Sequence, residues 1–114
     1  MFASCSPFVP AERQAAVSPD LAMLTFIRRY ADTPLRWEII AYIAQHPEEP
    51  LTSQQVAQGV RRSIRLVQID LDDLVLLGLL ERRRSPLGSQ YTLADDPLLR
   101  YQMARFRERF VASS

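Results

Sequence analysis

Lysine is missing from this sequence altogether, cysteine and histidine occur once each, and there are only three glycines. A lone Cys5 excludes an internal disulfide framework. Together with a lone His46 it also leaves no cysteine–histidine cluster for a metal centre, so no metal and no cofactor are expected. Hydrolase-type catalysis needs a base held beside a nucleophile. His46 stands directly before Pro47 at a helix end and reads as a helix-terminal group; Cys5 reads as an incidental thiol. Asp70, Asp72 and Asp73 crowd one stretch, but on a helix such neighbours point in different directions, which makes them poor ligands for one ion. Three dispersed glycines build no phosphate-cradling loop. No catalytic residues are expected. There is no apolar run of about eighteen residues or more, so no membrane span is expected. The stretch from Met1 to Val17 lacks a basic start and a continuous apolar segment, which argues against a signal peptide and for a cytoplasmic location.

Charge is nearly balanced at +1, so no overall basicity points to nucleic acid. Its distribution is more informative. All 14 basic residues are arginine, and six of them stand at positions 61, 62, 65, 82, 83 and 84. The planar guanidinium fork suits phosphates and guanine edges better than an ammonium does. Genome composition is the bland alternative for the missing lysine.

The chain is organised around residues 60–93. The spacing predicts a helix from Ile64 to Leu77, with Ser63 as a hydroxyl cap and Val67, Leu71, Leu74 and Gly78 on one face. Gly78 suits the left-handed position just past a helix end. Leu79-Leu80 then opens an extended segment through Arg82, Arg83 and Arg84, and Ser85-Pro86-Leu87-Gly88-Ser89 supplies a turn. Gln90 to Leu93 returns as a second strand with Tyr91 and Leu93 on one side.

Around this stretch, residues 1–17 read as a flexible arm and residues 18–114 as one domain, with a core at 35–93. Ser18-Pro19-Asp20 is a helix start, predicting a flanking helix over 18–31. Thr33-Pro34 repeats the signal for a helix over Leu35 to His46, which Pro47 ends. Thr52-Ser53-Gln54-Gln55 matches a capping box for a short helix holding Val56, Ala57 and Val60, with Gly59 placed in the following turn. Asp95-Asp96-Pro97 starts a last helix over 97–111, in which Leu99, Met103, Phe106 and Phe110 form an apolar stripe. The fold class is therefore mainly α with a small β-hairpin.

A buried helix running into an arginine-rich hairpin, preceded by a short capped helix, resembles the winged helix-turn-helix of bacterial regulators, broadly those of the MarR and ArsR families. The matching positions are Arg36 and Ile39, Thr52 to Ala57, Ser63, Val67, Leu71, Leu74, Gly78-Leu79-Leu80, Arg82-Arg83-Arg84 and Tyr91 to Leu93. Such a resemblance implies a sequence-specific regulator of double-stranded DNA, its third helix in the major groove and its wing on the backbone. The candidate DNA contacts are Arg61, Arg62, Ser63, Arg65, Gln68, Ile69, Arg82, Arg83 and Arg84. The wheel also turns Leu66, Asp72, Asp73 and Leu76 outward, and exposed aliphatics fit a protein-binding module equally well, so both readings stay open. Neither the residues nor the resemblance identifies a small-molecule effector. A core of about sixty residues is marginal alone. The flanking helices are therefore expected to build a homodimer through Leu24, Ile27, Leu99, Met103, Phe106 and Phe110, the alternative being a monomer in which they pack only on each other and on the core.

Overall fold

The computed structural model describes residues 11–86 and 88–111. Five helices and one antiparallel hairpin follow in order: α1 (Ala11–Tyr30), α2 (Pro34–Gln45), α3 (Ser53–Val60), α4 (Ile64–Leu76), β1 (Leu80–Ser85), β2 (Gly88–Leu93) and α5 (Pro97–Phe110). This is a winged helix-turn-helix with a helix added at each end.

Three of the expected caps form. Thr33 accepts from the Arg36 N–H at the head of α2, and Asp96 accepts from Leu98 and Leu99 at the head of α5. Thr52 makes the full reciprocal box with Gln55: its hydroxyl accepts from the Gln55 N–H while the Gln55 side chain accepts from the Thr52 N–H. Two other start signals require correction. The first helix begins at Ala11 and runs through Ser18 and Pro19, so the expected arm is helical over its last residues; residues 1–10 lie outside the described residues. The residues from Ala11 to Ala16 are strong helix formers, and Pro19 costs that helix one interior hydrogen bond. At α4, the Ser63 hydroxyl makes no capping bond. Its backbone sits at φ −59°, whereas Thr33, Thr52 and Asp96 take the extended geometry, φ −125°, −94° and −131°, from which a side-chain oxygen reaches the first turn.

Gly59 is also not the turn residue. It lies within α3, and a Cβ there would overlap the Tyr42 ring, so glycine is needed for close packing of α3 on α2. The left-handed turn between α3 and α4 is taken instead by Arg61, at φ 59°. Gly78 does behave as expected, at φ 88°. The Leu79 N–H bonds to the Leu74 carbonyl and the Gly78 N–H to that of Val75, the paired bonds of a Schellman ending. This ending directs buried Leu79 and Leu80 straight into the wing.

The wing is tighter than expected. Leu80 pairs with Leu93 and the register continues to Ser85 opposite Gly88, so the strands take up most of the predicted five-residue turn. The Ser85 hydroxyl donates to the Gly88 carbonyl at 2.8 Å across this end. A pairing that the sequence did not announce lies on the other edge. Leu51 and Tyr91 exchange both backbone bonds, 2.9 and 2.7 Å, which ties the segment before α3 to β2.

One core runs through the molecule. Ile39, Ile40, Val56, Val67, Leu71, Leu74 and Leu79 fill the helix-turn-helix, and Met23, Phe26, Met103 and Phe106 extend it between α1, α2 and α5. Met103 and Phe106 are 1% and 0% exposed within a single chain, so their assignment to a dimer seam is corrected: they are core residues. Phe106 stacks against Trp37 at 4.9 Å and Phe26 at 6.0 Å between centroids, which uses up its face inside the protomer. Ile27 and Leu99 are likewise partly buried against that core.

Arg36 straps α2 to α4. Its Nη2 donates to Asp70 at 3.0 Å and to Asp73 at 3.1 Å, and Asp32 lies 3.7 Å from Nη1. Burial works against the charge on Arg36, but the bond to Asp70 and the surrounding carboxylates outweigh it and raise its pKa further. Two of the three acids of α4 are thereby turned towards the protein.

Candidate nucleic-acid interface

The hairpin meets α4 at Asp72, about two turns beyond the helix start. Arg61, Arg62, Ser63 and Arg65 are all exposed at the start of α4, and Gln68 and Ile69 are exposed one turn further on. Gln54, Gln58, Arg61, Arg62, Ser63 and Ile64 line an open concavity between α3 and this helix start. Arg61 and Arg65 make no ion pair among the described residues. Arg62 does: its Nη2 lies 2.9 Å from Glu38 Oε2 on α2. Both side chains are substantially solvated, so the pair contributes little to stability and leaves Arg62 within reach of a stronger anion.

The wing arginines are not equivalent. Alternation along β1 puts Leu80, Arg82 and Arg84 on one side of the hairpin and Arg83 on the other. Arg82 stands opposite Tyr91 in the ladder, and both reach the same carboxylate on α4. The Tyr91 hydroxyl donates to Asp72 Oδ1 at 2.7 Å, and Arg82 Nη1 donates to the same oxygen at 3.1 Å. Arg83 and Arg84 are exposed and make no ion pair among the described residues. Asp72 and Asp73, placed outward on the helical wheel, do keep 39% and 46% of their side-chain surface exposed, but both are also paired within the chain. Asp72 faces the wing and Asp73 faces Arg36, because each has a cationic partner within reach that solvent cannot match as a fixed donor.

The aliphatic residues remain outside. Leu66 and Ile69 are 55% and 58% exposed on α4, three positions apart and so on one face, and Leu76 is the most exposed large apolar residue described.

Burial and the bond to Asp72 push the Tyr91 phenol above its ordinary pKa. The neutral phenol is thus the form the fold favours. Its contribution is complete below the unfolded value of about 10 and is lost as pH rises through the higher folded value. Replacing Tyr91 with phenylalanine keeps the ring and removes this bond, so stability at pH 7 should fall by about 1–2 kcal/mol. The gap between the two proteins should narrow above about pH 10. Urea titrations at several pH values measure both; a gap that is absent at neutral pH, or that widens under alkali, contradicts the assignment.

Residues 33–93 match the family model described as HVO_A0114, a span of more than half the chain. The chain belongs to the HVO_A0114 family. No curated protein matches it. Among solved structures, the homodimeric winged helix-turn-helix DNA-binding domain of Mb0332 from Mycobacterium bovis, a possible ArsR-family transcriptional regulator, superposes with a TM-score of 0.55 at 21% identity, covering 89% of this chain and 83% of that one. NolR from Sinorhizobium fredii gives 0.57 at 18% identity, covering 96% and 100%. A MarR family protein from Bacillus stearothermophilus gives 0.52 at 15%, covering 86% and 70%. At these identities the likeness establishes the fold: this HVO_A0114 family member has the winged helix found in ArsR and MarR regulators. Among its described residues no helix is long and apolar enough to cross a membrane, and no cluster of His, Cys, Asp or Glu is placed to hold a metal ion.

Proposed function

We propose that this protein is a sequence-specific, double-stranded DNA-binding transcriptional regulator that acts in the cytoplasm as a homodimer. One observation carries the reading. Every acid of α4 accepts a bond from within the chain, Asp70 and Asp73 from Arg36, Asp72 from Tyr91 and Arg82. The surface left at the start of α4 holds Arg61, Ser63, Arg65, Gln68 and Ile69, with the exposed aliphatics Ile64 and Leu66 among them, Arg62 beside them and Arg83 and Arg84 on the wing. That composition suits a major groove: arginine for guanine and phosphate, glutamine for adenine, an aliphatic side chain for a thymine methyl. The role is binding rather than catalysis.

Apolar residues on the outer helices support the dimer. Leu21 and Leu24 on α1 and Leu98 and Tyr101 on α5 are all exposed. The last two flank a shallow groove with Ala22 and Met23. The solved Mb0332 domain is described as homodimeric. Two recognition helices spaced about one DNA turn apart would read a palindrome.

Binding-site selection from a random duplex pool tests the reading. It should enrich a palindromic site, and Gln68→Ala or Arg65→Ala should relax preference at one position per half-site by about 1–3 kcal/mol. No enriched sequence, together with no mobility shift at low salt, would overturn it. That outcome would favour a protein-binding module instead, the reading that the exposed Leu66, Ile69 and Leu76 support.

A further inference from the structure

Asp72 looks misplaced for a protein that binds DNA: it is a carboxylate two turns into the recognition helix, facing a wing that carries three arginines in a row. Its geometry gives it a different part. A single oxygen, Oδ1, accepts from Tyr91 on β2 and from Arg82 on β1, and these two residues are cross-strand neighbours. The carboxylate therefore grips both strands of the hairpin at one rung. Tyr91 is additionally held on its far side by the two backbone bonds to Leu51. The rung is fixed from two directions, by α4 through side chains and by the segment before α3 through the backbone.

Building on the DNA-binding reading, we propose that Asp72 is a positioning residue which fixes the wing against the recognition helix, and that Arg82 stays paired with it on DNA instead of contacting a phosphate. The backbone contacts of the wing then belong to Arg83 and Arg84. The angle between wing and helix determines which phosphates and which base edges are met together, so holding it contributes to discrimination between sites rather than to affinity for any DNA. The Asp72–Arg82 pair is also electrically neutral, which removes one cation from the count that drives non-specific binding.

Counterion release makes this measurable, because each phosphate neutralised adds about 0.9 to the log–log slope of affinity against salt. Slopes are read on a mixed-sequence duplex and on the selected operator, using the full chain. Asp72→Asn keeps an acceptor for Tyr91 but frees Arg82. It should steepen the slope by about 0.9 on mixed-sequence DNA. It should also lower the ratio of operator to mixed-sequence affinity by roughly three- to tenfold, within the lower part of the coupling seen between contacting residues. Arg82→Gln should lower that ratio similarly while leaving the slope alone. The double variant should return to the wild-type slope with no further loss of ratio. Arg83→Gln, by contrast, should flatten the slope by about 0.9.

If Arg82→Gln flattens the slope as Arg83→Gln does, Arg82 leaves Asp72 for a phosphate and the proposal is wrong. If Asp72→Asn loses stability with slope and ratio both unchanged, Asp72 is only a structural brace and the proposal is equally wrong. Failure of the underlying reading is separate and visible first: the wild-type protein would then shift neither duplex at low salt.

Discussion

Replacing Phe106 with alanine should destabilise the protein by about 3–5 kcal/mol, the cost of a fully buried phenylalanine whose site collapses poorly. Its ring is 0% exposed. It meets Trp37 of α2, Phe26 of α1 and Phe110 of its own helix at centroid distances of 4.9, 6.0 and 5.1 Å. Rigid aromatic neighbours on three sides cannot all move into the space that the ring vacates. Since small domains are stable by about 5–15 kcal/mol in total, one substitution would remove a large share. Trp37 is the only tryptophan and touches Phe106, so its fluorescence reports this site during a urea titration, with far-UV circular dichroism reporting the helices. The loss should be the same at low and high protein concentration. A loss below about 1 kcal/mol, or one that appears only on dilution, would mean that Phe106 is covered by a second chain and not by its own.

The contrast between Phe106 as expected and Phe106 as found shows where sequence reading stops. The period of Leu99, Met103, Phe106 and Phe110 correctly marks one face of α5, because helical geometry alone puts those residues in line. What meets that face depends on where α1 and Trp37 lie, and periodicity carries no information about that. The caps were legible for the same local reason. Thr33, Thr52 and Asp96 satisfy backbone groups within three residues of themselves, so their neighbours in sequence are their neighbours in space. Ser63 makes no capping bond although its residue type is right, because its backbone sits at φ −59° and not in the extended geometry of the other caps, an angle that no composition rule foretells.

The candidate interface divides similarly. The clustering of Arg61, Arg62 and Arg65 with Arg82, Arg83 and Arg84 was visible as a pattern, since the helix end at Gly78 and the short hairpin leave few ways to arrange them. Differences among those arginines were not. Arg82 and Arg62 meet Asp72 and Glu38, partners 10 and 24 positions away, and only the folded chain brings them together. One clue was present in the sequence: Asp70, Asp72 and Asp73 are too many acids for a DNA-facing helix unless each has a cation nearby, and Arg36 and Arg82 are those cations.

The second large effect expected is on assembly. With Met103 and Phe106 committed to the core, the apolar surface left for a partner is Leu21, Leu24 and Phe110 together with Leu98 and Tyr101, the last two 63% and 59% exposed. Leu98 and Tyr101 are three positions apart and so share a face of α5. In a two-fold dimer every contact occurs twice, so burying these two side chains removes four from water. At about 1.5–3 kcal/mol for each buried side chain, the gross gain from these four is about 6–12 kcal/mol, comparable to the cost of immobilising two bodies. Association at micromolar concentrations therefore also needs the other exposed apolar residues, Leu21, Leu24 and Phe110, in the seam. Changing Leu98 and Tyr101 together to glutamate should therefore give a folded monomer, since both residues lie at the surface and neither fills the core. Operator affinity should fall on the order of 10²–10⁴-fold, because two half-sites are no longer bound as one unit, while the mixed-sequence affinity per protomer changes far less. Sedimentation at tens of micromolar, followed by titration of a selected palindrome, separates the two consequences. A wild-type protein that sediments as a monomer removes the dimer from the reading. A glutamate variant that is monomeric yet keeps full operator affinity would show that one recognition helix and one wing suffice, and that the outer helices serve only to complete the core.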